Sequence, residues 1–281
     1  MNAMAQLLGG KFSLALDRPL VMGIVNVTAD SFSDGGRFLA SDKAIAHGRK
    51  LIADGADILD VGGESTRPGA ATAGLQEELD RVMPVLEALR DSGVPVSIDT
   101  QKPEVMKAAI AAGASMINDV NALQAEGAIE VCRPSSVAVC LMHKQGTPET
   151  MQQRPTYNDV VREVSEFLQA RVAVCKQAGI ASNRIVIDPG FGFGKTIDHN
   201  FTLLRELKLL TRLGYPVLAG YSRKSSLGAV TGRTVDQRMA ASLAAAVIAV
   251  QNGATILRVH DVAETVDVLK ILAVVGSAVR N

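Results

Sequence analysis

The chain has 281 residues, of which 47% are hydrophobic and 21% charged, a composition typical of a folded globular protein rather than a disordered or fibrous one. Its 29 Lys and Arg residues balance 29 Asp and Glu residues, so no net charge favours nucleic acid or a membrane surface as a partner. The start of the chain has no basic segment followed by a long apolar run, and no apolar run is long enough to cross a bilayer, so we expect a cytoplasmic protein.

Eight short apolar runs follow one another at intervals of roughly 33 residues. They are PLVMGIVN (19–26), DILDVGG (57–63), PVSIDT (95–100), SMIND (115–119), SVAVCLM (136–142), RIVIDPG (184–190), PVLAGYS (216–222) and TILRVH (255–260). Because their apolar residues are nearly continuous rather than alternating, they predict strands that are covered on both faces, as in a parallel sheet.

Helical stretches alternate with these strands. The clearest are SDKAIAHGRKLIADG (41–55), LQEELDRVMPVLEALRDSG (75–93), DQRMAASLAAAVIAVQNG (236–253) and a final VAETVDVLKILAVVG (262–276). The alternation predicts an α/β fold, a (β/α)8 TIM barrel forming a single domain over 19–281, with an N-terminal cap segment over 1–18. A doubly wound open sheet is the competing architecture, but the first strand is not followed by the glycine-rich fingerprint of such folds.

The three cysteines show no spacing that would suit a metal site. Cys140 lies inside the apolar run VAVCLM, and Cys132 and Cys175 stand alone. We therefore expect small buried side chains in a reducing compartment rather than disulfides or zinc ligands.

In a barrel of this kind the active site forms at the carboxyl ends of the strands. The residues there are almost all polar: Asn26, Glu64 to Arg67, Asp99 and Thr100, Asn118 and Asp119, Met142 and His143, Asp188, Ser222 to Lys224, and Arg258 with His260. Any one of them could be a turn former or a helix cap. Seven polar strand ends and one mixed end, at Met142 and His143, meeting at one rim predict a binding site instead.

These residues divide into two chemical groups. Asp99, Asn118 and Asp188 offer carboxylate and amide groups, which suit a flat heterocycle with N–H groups and a carbonyl. The cations and polarised donors suit phosphate oxygens; they are Arg67, Lys224, Arg258 and His260. The last two lie two positions apart, so they share one face of the final strand. Together the two groups predict a ligand with a planar ring and a phosphorylated arm.

The segment PGFGFGKT (189–196) is similar to a phosphate-binding loop but fails the pattern. Pro189 occupies the place of the first glycine of G-x-x-x-x-G-K-[ST], and Lys195 occupies that of the third glycine of G-x-G-x-x-G. We interpret the glycines as shaping a tight turn that lets Phe193 lean over the barrel mouth, and we expect Lys195 to lie at the solvated rim. His47, His143 and His199 are interpreted as ordinary structural residues.

Several blocks of the sequence occur in a recognisable order. They are GIVNVTADSFSDGG (23–36), DVGGESTRPGA (60–70), SIDTQKPEV (97–105), INDV (117–120), LMHKQGTP (141–148), DPGFGFGK (188–195), GYSRKS (220–225) and RVHDV (258–262). In this order they resemble the dihydropteroate synthase family, from about residue 20 to about residue 270 and across every predicted strand.

The resemblance implies a transferase of the pterin-binding type. Such an enzyme joins 6-hydroxymethyl-7,8-dihydropterin diphosphate to p-aminobenzoate and gives 7,8-dihydropteroate and pyrophosphate for folate synthesis. It also implies Mg²⁺ as cofactor, a homodimer, and competition by sulfonamides at the aminobenzoate pocket. We expect pyrophosphate to leave before the amine attacks a cation-like pterin centre, and the loops that carry Phe32 and Pro68 to close over the substrates.

The same resemblance implies a role for particular residues. The pterin would be held by Asp99, Asn118, Met142, Asp188, Phe193, Lys224 and Arg258. The diphosphate would be held by Asn26, Thr66, Arg67, Arg258 and His260, with Asn26 also a ligand of Mg²⁺. The aminobenzoate would be framed by Phe32, Thr66, Pro68, Phe193, Lys224 and Ser225. The catalytic residues would be Asp99, Lys224, Arg258 and His260.

Ala29, Gln101 and Lys144 depart from the residues usual in these blocks, and none of them carries an implied role. Three other functions stay open on the sequence alone. A pterin-binding methyltransferase barrel would share the ring-binding residues but would not need the phosphate-binding ones. A Schiff-base aldolase could use Lys224 as its amine. The third alternative is a non-catalytic paralogue that serves as a binding partner. The ring-binding and phosphate-binding residues that this sequence contains argue against it.

Overall fold

The computed structural model of the chain describes residues 6–27, 37–64, 73–146, 151 and 155–278. Eight parallel strands form its centre. They are β3 (Leu20–Asn26), β4 (Ile58–Gly62), β5 (Val96–Asp99), β6 (Met116–Asp119), β7 (Ala138–Met142), β8 (Ile185–Asp188), β9 (Leu218–Ala219) and β10 (Ile256–Val259). Each lies within one of the eight runs predicted from the sequence.

The sheet closes on itself. Its strand order is β8-β7-β6-β5-β4-β3-β10-β9, and the two end strands meet where Ile187 pairs with Val217 in parallel. The Ile187 N–H also donates to the carbonyl oxygen of Pro216 at 3.0 Å. A doubly wound sheet would keep two separate edges, so the TIM barrel prediction is confirmed and the competing architecture is wrong.

Helices follow the strands around the outside of the barrel. They are α1 (Arg37–Ala53), α2 (Leu75–Leu89), α3 (Pro103–Ala111), α4 (Ala128–Cys132), α5 (Val160–Gln177), α6 (Ile197–Arg205), α7 (Leu207–Thr211), α8 (Ser225–Thr231), α9 (Met239–Gln251) and α10 (Val262–Ala278). Asp159 caps α5 by accepting from two backbone N–H groups, and Thr196 caps α6. None of the helices in the described ranges is long and apolar enough to cross a membrane.

The core has two layers, which follow from the alternation of side chains along each strand. Inside the barrel lie, among others, Leu20, Met22, Ile58, Met116, Cys140, Val186, Leu218 and Ile256. The strand residues between them face outward and pack against the helices, as Leu59, Ile98 and Ile187 do. The barrel interior is therefore filled with side chains at its lower end, and the polar strand ends form its open mouth.

A short antiparallel hairpin precedes the barrel. Its strands are β1 (Gln6–Gly9) and β2 (Phe12–Ala15). Leu7, only 2% exposed, belongs to the cluster inside the barrel, and the Gly10 N–H donates to the carbonyl of Ser136 at 2.9 Å. The hairpin thus covers the end of the barrel opposite the mouth.

Candidate active site at the barrel mouth

Strand register determines which side chains enter the mouth. In the parallel ladders Asn26 pairs with Gly62, Gly62 with Asp99, and Asp99 with Asn118. Asp188 pairs with Met142 two strands further on. Because side chains alternate between the two faces of a strand, these positions share the interior face with the apolar residues below them. Distant parts of the sequence therefore meet in one layer.

Arg258 enters the barrel from β10 and binds two carboxylates. Its Nε donates to Oδ2 of Asp60 at 2.6 Å, and its Nη2 donates to Oδ2 of Asp99 at 2.8 Å. Burial works against the charge of the guanidinium, but Asp60 and Asp99 outweigh that effect and hold the pKa of Arg258 above its ordinary value. The arginine is therefore a fixed cation at the centre of the mouth.

Asp60 is a site residue to which sequence reasoning gave no role. Its side chain is fully buried, and its Oδ2 accepts hydrogen bonds from both Arg258 and the Nδ2 of Asn118, the latter at 3.0 Å. A signal for it was present in the sequence, since a carboxylate inside the apolar run ILDV requires a buried partner. The partner is far away in the chain, which is why the pairing could not be read from local pattern.

Three acceptors are left facing the mouth. Asn118 uses its amide nitrogen on Asp60, so its carbonyl oxygen is directed away. Asp188 binds the Gly190 N–H at 2.7 Å through Oδ1, and Asp99 binds Arg258 through Oδ2. In each case the second oxygen has no hydrogen bond from the described residues. The three side chains are oriented by the protein and keep one acceptor each for a ligand.

Burial shifts the charge state of these groups. It raises the pKa of Asp99 to about 7, with Arg258 opposing the shift. It also raises the pKa of Asp188 to about 6, against the hydrogen bond from Gly190. Burial together with the nearby Arg258 lowers the pKa of Lys224 to about 8. The mouth is thus a desolvated set of alternating charges, typical of a functional site.

Lys224 is placed by an unusual backbone turn. The preceding residue, Arg223, has a left-handed φ of 57° and is turned outward, where its guanidinium binds Asp261 at 2.5 Å. Its N–H donates to the Ser242 hydroxyl at 2.9 Å. These contacts maintain the strained residue, and the Lys224 ammonium comes to lie 4.3 Å from the centroid of the Phe193 ring. Phe193 does lean over the mouth, as a cation–π partner of Lys224.

His260 is held by the end of the preceding strand. Its Nδ1 lies 3.0 Å from the hydroxyl of Ser222, which also accepts from the His260 N–H at 3.3 Å. Burial, with Arg223 and Arg258 nearby, lowers the pKa of His260 to about 4. The ring is therefore neutral at pH 7 and carries one N–H donor; when the Ser222 hydroxyl donates to Nδ1, that donor is Nε2. His260 offers an N–H donor rather than a cation.

The remaining predicted residues take varied positions. Asn26 ends β3 with an exposed side chain, Met142 is buried and paired with Asp188, and Ser225 is the exposed first residue of α8. Phe32, Thr66, Arg67 and Pro68 lie outside the described residues. The described ranges contain no cluster of three or more His, Cys, Asp or Glu side chains that could hold a metal. The amide oxygen of Asn26 fits Mg²⁺ shared with a diphosphate, since that ion takes few protein ligands and completes its shell with phosphate and water.

Lys195 is not where the sequence interpretation placed it. It was expected at the solvated rim, but its side chain is buried and its Nζ lies 3.0 Å from Nδ1 of His143. The expectation was wrong because the glycine-rich segment before it folds back onto the residues that follow β7. That close approach cannot be inferred from the glycines alone.

Comparisons with known proteins bear on this site. A family model described as pterin binding enzyme matches residues 22–260. The dihydropteroate synthase of Neisseria meningitidis serogroup C is 51% identical over 272 residues, with 95% of this chain and 96% of that protein covered. The solved structure of Xanthomonas albilineans dihydropteroate synthase with 4-aminobenzoic acid has a TM-score of 0.91 at 52% identity, covering 97% of this chain and 98% of that one. Burkholderia cenocepacia dihydropteroate synthase complexed with 7,8-dihydropteroate has a TM-score of 0.89 at 49% identity, with 98% of each chain covered.

Proposed function

This chain belongs to the dihydropteroate synthase family, and from that premise we propose how the residues at its barrel mouth divide the work of the reaction. The enzyme is a transferase that condenses 6-hydroxymethyl-7,8-dihydropterin diphosphate with p-aminobenzoate to give 7,8-dihydropteroate and pyrophosphate. One observation carries the proposed roles. Asp99, Asn118 and Asp188 surround the mouth, and each is oriented by the protein with one oxygen left for a ligand.

The pterin ring is the partner of these three acceptors. Its amino and ring N–H groups donate to the oxygens of Asn118 and Asp188, while the Asp99 carboxylate lies beside the reacting end of the ring. Met142 packs against the ring face. Because the acceptors are oriented before the ligand arrives, binding costs little additional ordering.

The diphosphate arm lies toward the cations. Arg258 and Lys224 place positive charge beside its oxygens, and the neutral His260 donates its Nε2–H. Thr66 and Arg67 keep the diphosphate role that the resemblance implies. The Asn26 amide oxygen would help to hold Mg²⁺, which would supply positive charge for the leaving group.

Pyrophosphate leaves first. The bond between the pterin methylene carbon and the bridging oxygen breaks, its electron pair goes to pyrophosphate, and the ring spreads the positive charge beside Asp99. The aminobenzoate amine then attacks that carbon and loses a proton. A secondary deuterium isotope effect at the methylene is the expected sign, and its absence would exclude this order of steps.

The aminobenzoate is positioned rather than activated. Its amine needs no strong base, so the contribution of the protein is to hold the ring near the methylene carbon and to keep water out. Phe193 and the stem of Lys224 form one wall of this pocket, and Ser225 lies at its edge. Phe32, Thr66 and Pro68 complete it in the proposal.

A homodimer is the proposed assembly. Ile248 of α9 is 42% exposed, and Ile271 and Val275 of α10 are 66% and 58% exposed. These two helices pack against each other, and we propose that their exposed apolar side chains lie on the face that a second copy of the chain would cover. Ile271→Glu should shift the protein to monomer in analytical ultracentrifugation, whereas a variant that still sediments as a dimer would reject this face.

The cytoplasm is the proposed location, since the thiols of Cys132, Cys140 and Cys175 are buried and unpaired, as expected in a reducing compartment.

The function is tested by pyrophosphate release. The purified protein is supplied with pterin diphosphate, p-aminobenzoate and Mg²⁺, and release should require the aminobenzoate. Lys224→Met should abolish it, while Lys176→Met, which removes an exposed lysine of α5, should leave it unchanged. Borohydride trapping of a substrate on Lys224 would instead support the aldolase alternative.

A further inference from the structure

Lys195 is a buried amine that none of the proposed steps uses. It is 2% exposed, and its Nζ lies 3.0 Å from the carbonyl oxygen of Phe193, 3.3 Å from that of His143 and 3.0 Å from the His143 Nδ1. Both the ammonium and the neutral amine have enough N–H groups for the two carbonyls. The Nδ1 of His143 accepts from the ammonium or, as the N–H tautomer, donates to the neutral amine. The three contacts therefore hold in either protonation state.

His143, the partner of Lys195, is held firmly by its neighbours. The His143 ring is buried and packs edge-on against Phe167, with centroids 5.0 Å apart, and tilted against Tyr157 at 6.0 Å. Burial also lowers the pKa of His143 to about 3, so the ring stays neutral and adds no second charge. The segment after β7 thus provides a fixed point of attachment for Lys195.

The glycine-rich turn between these residues is pressed onto that segment. A Cβ on Gly190 would lie 1.9 Å from the carbonyl oxygen of His143, and one on Gly194 would lie 2.3 Å from that of Gln145. Both glycines have positive φ, +67° and +62°, a conformation that other residues rarely adopt. The turn approaches the segment so closely that only glycine fits, which brings Lys195 beneath it.

Phe193 lies between the buried amine and the mouth. Its N–H donates to the Gly190 carbonyl at 3.1 Å, its carbonyl accepts from Lys195, and its ring contacts the ammonium of Lys224 at 4.3 Å. Both polar groups of its backbone are therefore held, which fixes the direction in which the side chain leaves the backbone, and the contact with Lys224 then orients the ring. A methionine in place of Lys195 would occupy similar space without the cost of burying an amine, so space filling does not account for a lysine here.

We propose that Lys195 is a positioning residue, which fastens the Phe193 carbonyl to the His143 segment and thereby fixes the Phe193 ring for the aminobenzoate. The inference rests on the proposed function, because it takes Phe193 and Lys224 as the wall of the aminobenzoate pocket. It predicts that removal of the Lys195 amine raises the KM for p-aminobenzoate and leaves the KM for pterin diphosphate nearly unchanged. Lys195 itself touches neither substrate.

Steady-state kinetics of Lys195→Met at pH 8 test this. The KM for p-aminobenzoate should rise at least about tenfold, the loss expected when a buried hydrogen-bond acceptor is left without its donor, while the KM for pterin diphosphate should change less than about twofold. Tyr157→Phe is the matched control, because it removes a 2.8 Å hydrogen bond to the carbonyl of Gly194, the next residue of the same turn. An unchanged KM for p-aminobenzoate in Lys195→Met, or the same rise in Tyr157→Phe, would overturn the proposal. If Lys195→Met does not fold, Lys195→Gln, whose amide donor lies one bond nearer the backbone, should give a smaller rise in the same KM, and an unchanged KM would overturn the proposal.

Two further measurements separate positioning from general stability. In the Phe193→Ala background, Lys195→Met should add nothing to the KM for p-aminobenzoate, since its effect passes through that ring. A full additional rise would contradict the proposal. The second measurement needs no activity: 4-fluorophenylalanine at position 193 should give one narrow ¹⁹F resonance that broadens or splits in Lys195→Met but not in Tyr157→Phe. An identical resonance in all three proteins would reject the inference even if the proposed function stands.

Discussion

Asp60 accepts a 2.6 Å hydrogen bond from Arg258, although 198 positions separate the two residues in the chain. They meet because β10 pairs with β3 and β3 pairs with β4, which closes the barrel and points both side chains inward. The same carboxylate oxygen orients the amide of Asn118. One buried aspartate thus places both the central cation and the amide of Asn118.

Removal of the Asp60 charge should damage this arrangement. In Asp60→Asn the guanidinium of Arg258 loses one of its two counter-charges, and the oxygen shared by Arg258 and Asn118 becomes a neutral and weaker acceptor. We expect kcat/KM for pterin diphosphate to fall at least about tenfold and the free energy of unfolding to fall by up to about 3 kcal/mol. Kinetics and urea unfolding measure these two effects.

The same strand offers a matched control for that variant. Asp57, directly before β4, binds Arg18 with distances of 3.0 and 2.5 Å at the opposite end of the barrel. Asp57→Asn also breaks an arginine–aspartate pair, so it should lower stability while leaving kcat/KM intact. Normal kinetics in Asp60→Asn would show that Asp60 does not organise the mouth.

Asp188 should lower the stability of the ligand-free protein at high pH. Its pKa in the folded state is about 6, raised by burial from an ordinary value of 3.8, so the folded protein binds this proton more tightly than the unfolded chain. The stability linked to that proton is present below 3.8 and is lost as pH rises through 6. Asp188→Asn stays neutral, so at pH 8 it should be more stable than the native protein by about 1–3 kcal/mol.

The pH dependence of that difference is the test. Urea unfolding at pH 8, 6 and 4 should show the advantage of Asp188→Asn shrinking as pH falls and disappearing near pH 4. The variant should at the same time bind pterin diphosphate more weakly, because it loses the charged acceptor. Asp198→Asn, an exposed position on α6, should show neither effect, and a pH-independent gap for Asp188→Asn would contradict the argument.

His260 should act through its N–H and not through charge. Because its pKa is lowered to about 4, the ring does not change charge between pH 6 and 9. His260→Gln keeps an N–H donor and should retain more kcat than His260→Ala, by about tenfold. A pH–rate profile of the native enzyme in which a histidine must be protonated near pH 6, abolished in His260→Gln, would disprove a neutral donor.

Arg223 allows backbone strain to be measured at the site. Its φ of 57° suits glycine better than alanine, while both substitutions remove the ion pair with Asp261. Arg223→Gly should therefore be more stable than Arg223→Ala by about 1 kcal/mol and should retain more activity, because Lys224 follows directly. Thermal unfolding and steady-state kinetics of the two variants test this. Equal stability and equal activity of Arg223→Ala and Arg223→Gly would show that the backbone at this turn is not strained.

The outline of the fold could be predicted because its signals are local. Each strand is a continuous apolar run bounded by turn residues, and each such run contains a strand of the barrel. Strand ends can be located for the same reason, so the sequence predicts that Asp99, Asn118, Asp188 and Arg258 lie at one rim of the barrel. The period of two along each strand also predicted that Arg258 and His260 share one face.

Residue identities and local periodicity by themselves therefore determined the barrel and the end of it at which the polar strand ends meet, and they predicted two kinds of ligand group there. Only the tertiary structure decided which charges pair. The burial of Lys195 under a turn, the link from Asp60 to Arg258 and the outward direction of Arg223 all depend on contacts between segments distant in the chain. Such contacts form when the sheet closes and packs, and desolvation then makes each pairing obligatory, so no short stretch of sequence contains them.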